Sequence, residues 1–324
     1  MLGLHCWRES SKQELLFQVE CFASARARRL NALLPRANSF LMGKIQKING
    51  GAGTSLRVIR ASGATGDLRL HEFRSRVFKN TRFLRVWLPP GYDDAENSRR
   101  RYPVLYLNDG QNLFEAAIAF GGVEWQVDET ADRLIREQAV LPMIIVGIDN
   151  TGKDRIREYM PYRSVQPMML RVHGRHYPHF LMKEVMPFVE GNYRIATGEE
   201  NTGLGGSSLG ALIALYTVIV RPGVIGKLLL ESPSLWASGR QLIKDSRLVR
   251  IWPEKIFLAV GTEEAGSPER SRTVVDDVRE LAAIIRRAVL SENRLRLMIK
   301  DGASHNEAAW AERFPEALRF LFGS

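Results

Sequence analysis

From residue 54 onward, apolar positions fall into two repeating patterns. Residues 68–77 and 81–88 (TRFLRVWL) are rich in residues that favour extended chain, and the second run stops at Leu88-Pro89-Pro90-Gly91-Tyr92, where proline and glycine supply turn chemistry. The runs YPVLYLND (102–109) and PMIIVGID (142–149) are short and continuously apolar, as expected of strands covered on both faces. Between them Val127, Ala131, Leu134 and Ile135 recur at helical spacing. The second half repeats the rhythm, with strands predicted at 201–207, 227–232, 255–261 and 294–300 and helices at 209–220, 270–289 and 307–321. Val274, Val278, Leu281 and Ile285 form one helical stripe, and Trp310, Phe314, Ala317, Leu318 and Leu321 another. Such alternation predicts an α/β fold whose central sheet is mostly parallel and flanked by helices.

The first 53 residues read differently. Leu15, Phe22 and Leu30 sit among Arg-rich segments with a helical look over 10–34, and Pro35 and Asn49-Gly50-Gly51-Ala52-Gly53 break that pattern. We therefore divide the chain into a basic N-terminal extension, 1–53, partly disordered or helical, and one catalytic domain, 54–324. The extension is expected to be a tail or an over-long start, with Met42 as the alternative initiator; a targeting peptide or partner-binding helix is the competing reading.

Charge supports this division. Of the net charge of +10, residues 1–60 carry ten Lys/Arg against three Asp/Glu, or +7, which leaves +3 for the body. A body so nearly balanced is not expected to bind nucleic acid. No run of some 18 uncharged apolar residues offers a membrane span. Cys6 and Cys21, the two cysteines, lie in the extension outside any CxxC or Cys/His spacing, so neither a disulfide framework nor a zinc site is expected. With no secretory apolar core at the N-terminus, a cytoplasmic location is expected.

The chemistry concentrates in a few segments. Gly205-Gly206-Ser207-Ser208-Leu209-Gly210 contains G-x-S-x-G between an extended stretch and an apolar helix. That is the context of a nucleophile elbow, in which flanking glycines let backbones approach and the serine hydroxyl projects at the sheet's C-terminal edge. Ser207 competes but lacks glycines at plus and minus two, so Ser208 is the candidate nucleophile. His305 lies between the last predicted strand and the last predicted helix, where a general base for that serine belongs. The strand 256–261 runs into Glu263 and Glu264, two candidates for the acid that orients the histidine, and the order Ser, Glu, His matches an α/β-hydrolase. His173, His176 and His179 at i, i+3, i+6 drift around a helix without a completing ligand, so no metal is expected.

Six segments in order give a resemblance: Val86 to Tyr92, Tyr106 to Phe114, Gly205 to Gly210, Ser232-Pro233-Ser234-Leu235-Trp236, Gly261 to Glu264 and His305 to Trp310. Over about residues 68–321 the chain resembles the esterase D-like esterase family of the α/β-hydrolase superfamily, which includes feruloyl esterases, siderophore trilactone esterases and mycolyltransferases. The resemblance implies an α/β-hydrolase fold and selects Glu264 over Glu263 as the acid. It also implies an oxyanion hole from the backbone amides of Gln111 and Leu209. Trp125, Tyr159 and Trp236, near these loops, are candidates to line the acyl or alcohol pocket, with ordinary packing as the alternative.

The expectation is a serine carboxylesterase acting on an ester of a small or medium acyl group through an acyl-enzyme, without a cofactor, with a small-molecule ester as its partner. An acyltransferase using an alcohol acceptor, or a non-catalytic module keeping the fold, are the alternatives. Arg155 and Arg157 hint at an anionic or catechol-like substrate if they face the cleft, and are otherwise solvated.

Overall fold

A computed structural model of the chain describes residues 45–48, 56–60, 63–163, 171–289 and 291–323. The expectations about Cys6, Cys21, Met42 and a helix over 10–34 lie outside the described residues.

The apolar runs form one twisted sheet. Its strands are β1 (Ile45–Ile48), β2 (Leu56–Arg60), β3 (Asp67–Arg74), β4 (Thr81–Leu88), β5 (Val104–Asn108), β6 (Ile144–Ile148), β7 (Thr202–Ser207), β8 (Lys227–Glu231), β9 (Lys255–Glu263) and β10 (Leu295–Ser304). They are ordered β1-β2-β3-β4-β6-β5-β7-β8-β9-β10. From β6 to β10 every pairing is parallel, whereas β1 to β4 and the β4–β6 contact are antiparallel. Thus β1 falls inside the segment read from sequence as an extension and joins the sheet's edge. The first strand of the β3–β4 hairpin stops at Arg74 rather than 77, because Ser75 N–H donates to Asn80 O at 2.8 Å and Lys79 takes a left-handed φ of 56°.

The helices are α1 (Val127–Arg136), α2 (Arg155–Tyr159), α3 (Tyr177–Phe180), α4 (Met186–Asn192), α5 (Leu209–Val220), α6 (Ala237–Ser246), α7 (Pro268–Ala288) and α8 (Glu307–Phe322); a π turn, Leu181–Val185, joins α3 to α4. Strand alternation divides the core between the sheet's two faces. Val104 and Tyr106 of β5, Leu228 and Leu230 of β8, and Ile256, Leu258 and Val260 of β9 face α5, α6 and α7. Leu105, Leu107, Leu229, Phe257 and Ala259 face the other way, against Val127, Ala131 and Leu134 of α1 and Trp310, Phe314 and Leu318 of α8. Both faces being covered explains why β5 and β6 read as unbroken apolar runs. No helix among the described residues is long and apolar enough to cross a membrane.

Candidate active site

Ser208 is placed by backbone chemistry. It sits between the end of β7 and the first residue of α5 with φ 55° and ψ −122°, a conformation costly for a residue with a side chain and typical of functional turns. Its amide donates to Glu231 O on β8 at 2.9 Å, and its carbonyl accepts from Leu212 N–H at 3.0 Å to begin α5. A Cβ at Gly210 would lie 3.0 Å from Asp109 Oδ2 and 3.1 Å from Asn108 Cβ, so glycine is what lets α5 start against the end of β5. Asn108 Nδ2 closes this contact by donating to Gly210 O at 2.7 Å. The Ser208 hydroxyl is 3.2 Å from that of Ser234.

On the neighbouring strand ends, Glu264 and His305 meet. His305 Nδ1 lies 2.5 Å from Glu264 Oε2, although the two are 41 positions apart. An irregularity in β10 between Lys300 and Ser304 brings His305 there: Ala303 O packs over Gly261, where a Cβ would lie only 2.0 Å from it. The Asn306 side chain then accepts from Ala309 N–H at 3.0 Å and starts α8, which holds the histidine from the other side. Burial alone would raise the Glu264 carboxyl, but the His305, Ser232 and Gly261 donors outweigh it and hold Glu264 below its usual range. Glu263, the alternative acid on sequence, is exposed.

Beside β5, Asp109 takes a left-handed conformation (φ 61°, ψ 46°) that opens the 3₁₀ turn Gly110–Asn112. This turn carries Gln111 to the same cavity as Leu209. Leu209, as the first residue of α5, has an amide with no intrahelical acceptor, and the helix's positive end points the same way. Asp109 is held by Arg155, whose Nε and Nη2 donate to its two carboxylate oxygens at 2.8 and 2.7 Å. Burial opposes the Arg155 charge, but the Asp109 carboxylate more than compensates and keeps the guanidinium protonated.

A cavity of about 420 Å³ opens over these groups, within the usual range for a small-molecule site. Ser208, Leu209, Gln111, Glu264 and His305 all line it, as do Ile118, Phe120, Ile156, Met160, Trp236 and Val274. Of the three aromatic pocket candidates, Trp236 alone lines it. Trp125, 2% exposed, is packed behind the site against Trp310 and Phe314, at ring separations of 5.7 and 6.1 Å. Tyr159 is fully buried and its hydroxyl accepts from Asp109 N–H at 3.3 Å, so it supports the turn from beneath. The arginines also differ from the anionic-substrate hint: Arg155 reaches the cavity but is neutralised by Asp109, and Arg157 pairs with Asp154 at 3.6 Å.

Sequence reasoning passed over four lining or supporting residues: Ser232, Ser234, Glu307 and Trp310. All lie in segments that carried the resemblance, which was the available signal. Glu307 is buried and its carboxyl is pushed up, first by burial and then by Asp109, while Asn112 Nδ2 donates to it at 3.2 Å.

The donor atoms of His173, His176 and His179 do not converge. Among the described residues, the metal-ligating side chains whose donor atoms gather within 4.8 Å of one another are Glu124, Asp128 and Glu129, at the start of α1 and outside the cavity lining.

The family model described as "Putative esterase" matches residues 75–321. A relative in Bacillus subtilis (strain 168), the "Uncharacterized protein YbbA", is 24% identical over 249 residues, covering 75% of this chain and 93% of its own. Among solved structures, the BES protein from Bacillus cereus superposes with a TM-score of 0.62 at 18% identity, over 86% of this chain and 100% of that one. An IroE-like serine hydrolase from Shewanella oneidensis gives a TM-score of 0.61 at 22% identity, over 79% and 80%. At these identities the structures establish a shared fold.

Proposed function

We propose, from the premise that the chain belongs to the esterase family matched over residues 75–321, that it is a serine carboxylesterase working through an acyl-enzyme. The observation that carries this reading is the 2.5 Å contact of His305 Nδ1 with the Glu264 carboxylate beside Ser208 on one cavity. With Nδ1–H bound to Glu264, the other ring nitrogen, Nε2, is left unprotonated as the base. It takes the Ser208 proton as the hydroxyl oxygen attacks the ester carbonyl. The tetrahedral oxyanion is stabilised by the Gln111 and Leu209 amides, and its collapse expels the alcohol, which receives the proton from His305. Water, deprotonated by the same imidazole, then attacks the acyl-enzyme and releases the acid.

The cavity favours a neutral ester with a small or medium apolar acyl group. Ile118, Phe120, Ile156, Met160, Trp236 and Val274 offer apolar contact, and Arg155, the one arginine on its wall among the described residues, is already paired. The test is Ser208→Ala assayed on a panel of short-chain, feruloyl and trilactone esters. Hydrolysis is expected to fall to the background rate for every ester the native protein cleaves. Retention of native rates in pure Ser208→Ala protein would overturn the reading.

A further inference from the structure

The mechanism requires a buried carboxylate that stays charged, and the side chains behind Glu264 explain how it does. Ser232 directly follows β8, fixed by its amide donating to Ala259 O at 2.8 Å. Its hydroxyl oxygen lies 3.0 Å from Trp310 Nε1, 3.4 Å from Arg313 Nη2 and 2.7 Å from Glu264 Oε1. An indole N–H and a guanidinium only donate. The serine oxygen therefore accepts from both, and its single hydrogen is left to point at Glu264. The Gly261 amide donates to the same Oε1 at 2.6 Å, so Oε2 remains for His305.

Two further observations mark this hydroxyl. Ser232 holds φ 44°, in the left-handed region that glycine occupies cheaply and serine does not, so the position keeps a side chain at a conformational cost. Trp310 also stands edge-on to the His305 ring, with centroids 5.1 Å apart and an interplanar angle of 83°. One helix, α8, thus touches His305 directly and reaches Glu264 through the Ser232 hydroxyl. Arg313, one turn further along, is anchored by a buried ion pair to Glu231 at 2.8 Å.

We propose that Ser232 and Trp310 are positioning residues: the Trp310 indole aims the Ser232 hydroxyl at Glu264, which fixes Glu264 as an anion and His305 in its Nδ1–H tautomer. This deepens, and rests on, the Ser208–His305–Glu264 reading. Loss of the serine donor makes the Glu264 carboxylate hold its proton more tightly. The acidic limb of kcat/KM against pH must then move to higher pH.

The experiment records that profile on the full chain for the native protein, Ser232→Ala, Ser232→Gly, Trp310→Phe and Ser232→Ala/Trp310→Phe, using an activated ester. A fluorophosphonate titration mapped to Ser208 by mass spectrometry accompanies it. Ser232→Gly relieves the strained φ and so tests the hydroxyl in a variant with no folding penalty from that source. Both Ser232 variants are expected to lose roughly ten- to a hundredfold in kcat, the worth of one hydrogen bond to a charged group, with KM little changed. Their acidic limbs should rise by roughly one pH unit, a tenfold change in proton affinity. Trp310→Phe should shift the limb the same way by less, and adding it to Ser232→Ala should shift it no further, because the indole acts through the hydroxyl. The proposal is overturned if both Ser232 variants keep the native profile while Ser208 still labels, or if the double variant shows the sum of the single shifts. Absence of label on Ser208 in the native protein would instead remove the esterase reading, and the positioning role with it.

Discussion

Two carboxyl groups, both almost fully buried, are treated oppositely by this fold. Glu264 receives the Ser232 hydroxyl and the Gly261 amide on one oxygen and His305 on the other, at 2.7, 2.6 and 2.5 Å. Asp128, at the start of α1, receives the Thr65 amide on Oδ2 at 2.6 Å, while its Oδ1 has no hydrogen-bond partner among the described residues. Its acidic neighbour Glu129 adds like charge. Burial pushes both groups toward the neutral acid. At Glu264 the donors win and the group is held below its usual range, whereas Asp128 is pushed up to about 8 and Glu124 to about 7. Under similar burial, the donors supplied to Glu264, against a single amide donor and a like charge at Asp128, send these two acids in opposite directions.

The sharpest way to break this contrast is to replace each acid by its amide. Glu264→Gln keeps the shape but removes the charge that orients His305, and kcat should fall on the order of 10³–10⁴-fold with KM little altered. Asp128→Asn, outside the cavity lining, should leave kcat/KM within about twofold, because its side chain takes no part in the acid–base pair. If the two variants lose similar activity, the distinction between a working anion and a structural neutral acid fails.

Thermal unfolding against pH sharpens the same contrast. Folded Asp128 holds its proton up to about pH 8, whereas the unfolded chain releases it in the ordinary carboxylate range. Its contribution is thus favourable in acid and is lost as pH rises through that window. Asp128→Asn should match native Tm near pH 4 and exceed it by a few degrees near pH 8. Glu264 runs the other way: its depressed folded value gives stability that is present above the ordinary carboxylate range and fades as pH falls through it. A Tm difference for Asp128→Asn that does not grow with pH contradicts the assignment.

The smallest expected effect concerns the pocket. Trp236→Ala, on the cavity wall, should raise KM several-fold with kcat largely kept, since it removes contact made equally in ground and transition states. Trp125→Phe, packed behind Trp310, should change Tm more than KM. The reverse ranking would return Trp125 to the pocket.

These contrasts also show what the chain's pattern reveals. The strand and helix alternation, the turn at Ser208 and the late loop at His305 are local features, written in spacings of a few residues, and they were legible. Glu263 and Glu264 were not separable by spacing, because the choice depends on how β9 ends against β10; the family resemblance pointed to the residue that is buried. Ser232, Trp310 and Arg313 converge from β8 and α8 across more than 70 positions, so nothing local announces them. Trp125 and Tyr159 stood beside the right motifs in sequence but turn into the core, where large aromatic surfaces are most stable. β1 was missed because four residues of strand carry too little pattern within a basic segment.

The central claim, that Ser208 is the nucleophile, is tested most directly by reacting the folded native protein with a fluorophosphonate and mapping the adduct by peptide mass spectrometry. One adduct per chain is expected, on Ser208, with labelling and ester hydrolysis lost in parallel. An adduct on Ser207 or Ser234, or full hydrolytic activity in protein that takes no label, would contradict it.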